Sequence, residues 1–290
     1  MIDYRTTHRR RSAQRASPLW LGAVALACTL MASTPGWSQA LAPSNPGAVG
    51  ATSATAAPAT AAPATAAPAK PSPAALEPFV AQYQVFKSGN ALGDATMQLV
   101  RNDARRWRVD LGMRGTRGLL GLAGLNAEQS TVFDVAGGLY RPLAQSTLRK
   151  SVFTQKQTVG VYDWRSGQAR WTGDVKETRR APVALQPGDQ SGLLINLAVI
   201  RDAQPGQSLH YRFVDDGRVR DHRYNVSTQL EEVKVGELNY SAMRVTRLES
   251  GNEETVIWVV QGVPTPIRML QRENGEDTFD LRLVEYKGAQ

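Results

Sequence analysis

Catalysis and metal binding need side chains that titrate or ligate and that converge. In this chain of 290 residues they are sparse, with one cysteine and three histidines. His210 and His222 flank Asp216-Gly217, a residue pair favoured in two-residue hairpin turns. Pairing across that turn sends the two imidazoles to opposite faces, so they are not expected to share a metal. Gly188-Asp189-Gln190-Ser191-Gly192 has the look of a hydrolase nucleophile elbow. Its first glycine, however, lies three residues before the serine rather than two, and no buried strand leads into it. Capping of a following helix by Asp189 is the simpler reading. The acid pairs Asp215-Asp216, Glu231-Glu232 and Glu253-Glu254 fall at turns or strand ends. Neighbours on a strand face opposite ways, so none makes a shared-proton dyad. No glycine loop for phosphates is present. No catalytic residue, metal or cofactor is therefore expected.

The segments that would position these groups read mostly as strands. From Glu77 onward, short runs alternate apolar and polar residues with turn signals every eight to twelve positions, near 80–86, 95–101, 107–113, 129–134, 144–163, 168–173, 207–215, 218–235, 239–249, 255–261, 265–271 and 278–286. Leu209–Asp215 and Arg218–Val226 can be set in register. Leu209, Tyr211, Phe213, Tyr224 and Val226 share one face, and Arg212 stands opposite Asp221. One helix is expected over 189–201, with Leu193, Leu194, Leu197, Ala198 and Ile200 apolar over most of its girth and therefore buried. Gly115–Leu125 is both glycine-rich and leucine-rich. It reads as a lid or membrane-touching loop, or more simply as a buried strap. Trp258 reads as core or as the wall of a ligand cavity, and Pro264 and Pro266 suit a strand edge or entry.

Residues 1–40 read as a cleavable export leader: Arg9-Arg10-Arg11, an apolar run from Pro18 to Ala32, and Ser38-Gln39-Ala40 before the cut. Neither a twin-arginine signal nor a lipoprotein box around Cys28 fits as well. Cleavage would leave no thiol. It would also remove five arginines and one acid, lowering the formal charge from +8 to +4, so the basicity is poor evidence for nucleic-acid binding and none is expected. Residues 41–76 repeat Ala-Thr-Ala-Ala-Pro three times and read as an extended spacer.

Three blocks carry a resemblance: Gly138-Leu-Tyr-Arg-Pro142 with Ser146, Asp189-Gln-Ser191, and Trp258-Val with Pro266-Ile-Arg268. Together they resemble the domain-of-unknown-function family 3108 of exported envelope proteins. The resemblance implies a curved antiparallel sheet or incomplete barrel, similar in outline to the periplasmic lipoprotein carriers, and no agreed activity. The expected fold is thus all-β with one helix, in a domain from 77 to 290. The leading functional expectation is a periplasmic, non-catalytic module binding a lipid or amphiphile through Leu193, Leu197 and Trp258. The alternatives are a scaffold for an envelope protein partner and a hydrolase of envelope polymer.

Overall fold

The computed structural model describes residues 76–117, 126–248 and 252–288. The leader, the spacer up to residue 75 and positions 118–125 of the glycine-leucine segment lie outside the described residues. Fourteen strands are present: β1 (Phe79–Lys87), β2 (Asn90–Arg101), β3 (Arg106–Gly115), β4 (Asn126–Ala136), β5 (Leu139–Lys150), β6 (Gln155–Asp163), β7 (Gln168–Gly173), β8 (Val183–Ala184), β9 (Ser208–Asp215), β10 (Arg218–Val235), β11 (Leu238–Leu248), β12 (Glu253–Val259), β13 (Arg268–Glu273) and β14 (Glu276–Gly288). They build one antiparallel sheet in which β1 to β8 run in chain order to one edge and β14 back to β9 run to the other. The halves meet where β1 pairs with β14.

Alternation decides which face is buried. In β1, Phe79, Ala81, Tyr83 and Val85 are buried, while Val80 faces outward. Across β2 and β3 the partners Met97–Leu111 and Leu99–Val109 continue the same inner face. The long run expected over 144–163 is two strands, broken at Ser151–Thr154, where hydroxyls and backbone groups close a tight turn. The β9–β10 hairpin has the expected register, with Arg212 opposite Asp221. Its turn holds Asp216 and Gly217 at φ of 50° and 67°, the left-handed pair a two-residue turn of this hand requires.

The expected helix is present but shorter at its start. Helix α1 spans Leu194–Asp202, and no side chain caps it. Asp189 lies five residues upstream and is recruited elsewhere. Leu194 to Val199 are all buried, as an all-round apolar helix must be. The segment entering α1 also fills the seam between the two sheet edges. Gln190 bridges to β9 by two backbone hydrogen bonds, donating to Arg212 O at 2.9 Å and accepting from Val214 N at 2.8 Å. Arg212 donates to Ala184 O of β8 at 2.9 Å. The sheet is thereby nearly closed into a barrel, with α1 inside it.

Candidate functional site

Two places in the fold could do chemistry or hold a ligand: a polar knot inside the seam, and a groove on the outer face. The knot is built by Gln145 from β5, Tyr162 from β6, Asp215 from β9 and Ser191 from the seam segment, all buried. Gln145 Nε2 donates to Asp215 Oδ1 at 2.5 Å. Its Oε1 accepts from the Ser191 hydroxyl and faces the Tyr162 hydroxyl at 3.0 Å. Tyr162 also touches Ser191 Oγ and donates to Val214 O at 2.8 Å. Beside the knot, Asp189 is buried and pairs with Arg212 Nη1 at 2.7 and 2.5 Å. It also accepts from Gln186 N at 2.8 Å. This is why Asp189 does not cap the helix: a buried carboxylate is held by a guanidinium from a distant strand.

Burial sets the protonation states here. The Asp215 carboxyl is pushed up to about 6, chiefly because burial disfavours its anion, with Gln145 pulling the other way. The Tyr162 hydroxyl is held well above its ordinary value by burial and by the Asp215 charge, so it is a neutral donor. His222 stacks on Phe213 with centroids 4.4 Å apart. Burial first, then Arg247 and Arg220, lower it to about 3, keeping it neutral. Ser191 therefore has a phenol and an amide as partners and no base to take its proton. The arrangement locks four elements together; it does not activate a nucleophile. Among the described residues, no three His, Cys, Asp or Glu side chains gather in a way that could hold a metal.

The three expected ligand residues are all buried in the main hydrophobic core, and of them Leu193 alone lines a small pocket of about 50 Å³, together with Leu111, Asn196, Phe213, Asp215 and Ile257. Leu197 is buried in the main core. Trp258 alternates with Ile257 and so stands on the opposite face of β12. There its indole N–H donates to Glu231 at 2.7 Å, and Arg268 lies 4.8 Å over its ring. A 50 Å³ space admits a few waters. Ligand pockets are typically about 300–1,000 Å³.

Space of that size is on the outside. A groove of about 510 Å³ crosses β2 to β6. Its lining follows two adjacent rows of the register. Thr96, Gly112, Glu128, Leu148 and Gln157 stand side by side on five successive strands. Gln98, Asp110, Ser130 and Ser146 form the next row. A hollow of about 450 Å³ continues from Gln157 towards Thr172 and Asp174. Gly112 is part of the groove lining. Two other strand glycines have steric reasons: a Cβ at Gly93 would lie 1.9 Å from Arg114 O, and one at Gly160 would lie 2.6 Å from Trp171 Nε1. At Gly112 a Cβ meets nothing within 4 Å. Glycine inside a strand is destabilising by roughly 0.5–1 kcal/mol relative to alanine, and internal packing does not require it here.

Comparison with known proteins identifies the family. The family described as Protein of unknown function (DUF3108) matches residues 80–282. The chain belongs to this family. A β-barrel-like protein of domain of unknown function DUF1849 from Brucella abortus is similar at 9% identity, covering 74% of this chain and 99% of that one, with a TM-score of 0.46. A DUF1089 family protein from Pseudomonas aeruginosa is similar at 14% identity, covering 60% and 87%, with a TM-score of 0.34. Both likenesses are remote. No curated protein matches.

The blocks that carried the DUF3108 resemblance now have physical roles. Tyr140 packs edge-on against Phe133 at 5.5 Å beneath Arg201, and Arg141 grips Asp134 with two bonds of 2.8 and 2.6 Å. Tyr83 donates to Pro266 O at 2.8 Å, and Arg268 holds the buried Asp280 through bonds of 2.8 and 2.9 Å. Asp189, Gln190 and Ser191 close the seam. Ser146 differs from these, since it faces the groove. Sequence reading missed Gln145, Tyr162 and Asp215 as a unit. The available signal was polar residues at inward positions of alternating runs, such as Gln129, Thr131 and Gln145.

Proposed function

We propose that this DUF3108 domain is a non-catalytic binding module, exported to the periplasm, whose ligand is hydrophilic and lies along the outer groove of β2 to β6. One observation carries the reading. The space beside Leu193 is about 50 Å³, while the outer groove is about 510 Å³ and has in its lining a glycine that packing does not demand. Half of the lining residues are neutral amides and hydroxyls, Arg114 and Glu128 add one charge of each sign, and Asp110 is already engaged by Arg108 and Gln98 at 2.9 Å each. Such a surface matches a polar, weakly charged chain such as an envelope polymer or an extended protein segment. Holding an apolar ligand at Leu193, Leu197 and Trp258 instead requires the interior to widen several-fold and the buried knot to come apart.

The test uses a photo-cross-linking amino acid at Gln98 in the native host, with and without Gly112→Val. A groove-bound ligand gives an adduct that the valine abolishes while thermal stability holds or rises. Adducts indifferent to the valine, or an amphiphile that travels with the protein in native mass spectrometry, overturn the proposal.

A further inference from the structure

The turn between β5 and β6 is unlike the rest of the surface. Phe153 is 89% exposed and Val152 is 64% exposed, side by side at the tip of a hairpin. Placing a phenylalanine fully in water forgoes most of what its burial would contribute. Behind this tip the strand ends are basic. Arg114, Asn126, Lys150 and Gln155 stand in one row across β3 to β6, and Met113, Ala127, Arg149 and Lys156 stand in the next. Arg149 and Lys156 are direct cross-strand partners. Like charges placed opposite one another destabilise a strand pair, and none of Arg149, Lys150, Lys156 or Arg117 makes a salt bridge among the described residues. Asp94, opposite Arg114, is the acid set against this row. Other arginines on the same sheet are matched, as in Arg268 and Arg282 on Asp280 or Arg272 on Asp277. Arg149, Lys150 and Lys156 thus stand as cations beside an exposed apolar point.

We propose that the β5–β6 tip docks the domain on an anionic lipid bilayer, with Val152 and Phe153 entering the headgroup region and Lys150, Arg149 and Lys156 lying over the phosphates. An apolar point ringed by cations is complementary to such a surface in both respects. The point gains from leaving water, and each cation gains from the negative surface potential. The tip itself and Arg149, Lys150 and Lys156 do not line the outer groove, although Arg114 and Asn126 of the adjoining row do.

The experiment uses the full chain with Cys28→Ser and Phe153→Cys, labelled at residue 153 with an environment-sensitive dye. Vesicles are either pure phosphatidylcholine or contain one quarter phosphatidylglycerol. The expected result is a blue shift with the anionic vesicles that high salt reverses. Adding Lys150→Glu with Lys156→Glu weakens the response at least tenfold, given roughly fivefold per charge. In an unlabelled chain, Phe153→Ser lowers vesicle binding about tenfold or more. Positions 150, 153 and 156 are exposed, so folding is unaffected by changes there and circular dichroism serves as the control. A dye that stays in water with anionic vesicles, or a shift indifferent to the two charge reversals, overturns the proposal.

Discussion

Replacing Asp215 by asparagine isolates the most consequential charge in the interior. In the folded protein this carboxyl holds its proton up to about pH 6, against an ordinary value of 3.8. Below pH 3.8 it is neutral whether the chain is folded or not. As pH rises from there, the unfolded chain releases the proton first, while the folded one keeps it until about 6. Folded-state stability therefore falls across this window, and the loss is complete above it. Roughly two decades in proton affinity at 1.36 kcal/mol each give a loss of about 3 kcal/mol. Asparagine keeps the shape, and its carbonyl still accepts from Gln145 Nε2, but it carries no charge at any pH. Urea unfolding of both proteins at pH 4 and pH 7.5 cancels every other titrating group in the difference. The variant should gain about 2.4 kcal/mol on wild type between the two conditions, since about 0.5 kcal/mol of the loss is already present at pH 4. A difference that stays constant to within about 0.5 kcal/mol refutes the burial argument.

His222→Phe should act in the opposite sense. The imidazole resists protonation down to about pH 3, so stability complete above pH 6.5 is lost as pH falls towards 3, on the order of 5 kcal/mol; acid unfolding midpoints should drop in the variant. Asp189→Ala strands the partly buried Arg212 guanidinium and should cost about 3 kcal/mol by chemical denaturation. Gly160→Ala drives a methyl into Trp171 and should cost about 1–3 kcal/mol. Gly112→Ala should instead add about 0.5–1 kcal/mol; paired melting curves test both glycines together.

Much of the architecture was legible from local signals. The β9–β10 register followed from Asp216-Gly217 and five alternating apolar residues, because a two-residue turn leaves one pairing. The helix start was not legible. Asp189 is an ordinary capping residue by sequence, and only folding brings Arg212, twenty-three positions later, to claim its carboxylate. Trp258 was ambiguous for another reason. Thr255 to Val259 are buried on both faces of β12, so alternation gave no hint that the indole points away from Leu193. The knot draws Gln145, Tyr162 and Asp215 from three strands, and no spacing rule links residues so far apart. Gly112 reads as a weak point in a strand until the empty space above it is seen.

The pairing of β1 with β14 has a consequence during synthesis. The first strand to emerge is a neighbour of the last, and nearly 200 residues separate them along the chain. At roughly 5–20 residues per second, one edge of β1 stays open for about 10–40 s. During that time Phe79, Tyr83 and Val85 sit on an unfinished edge that any other extended chain could claim. The β1–β14 pairing is thus the one that must wait for the final strand to be made.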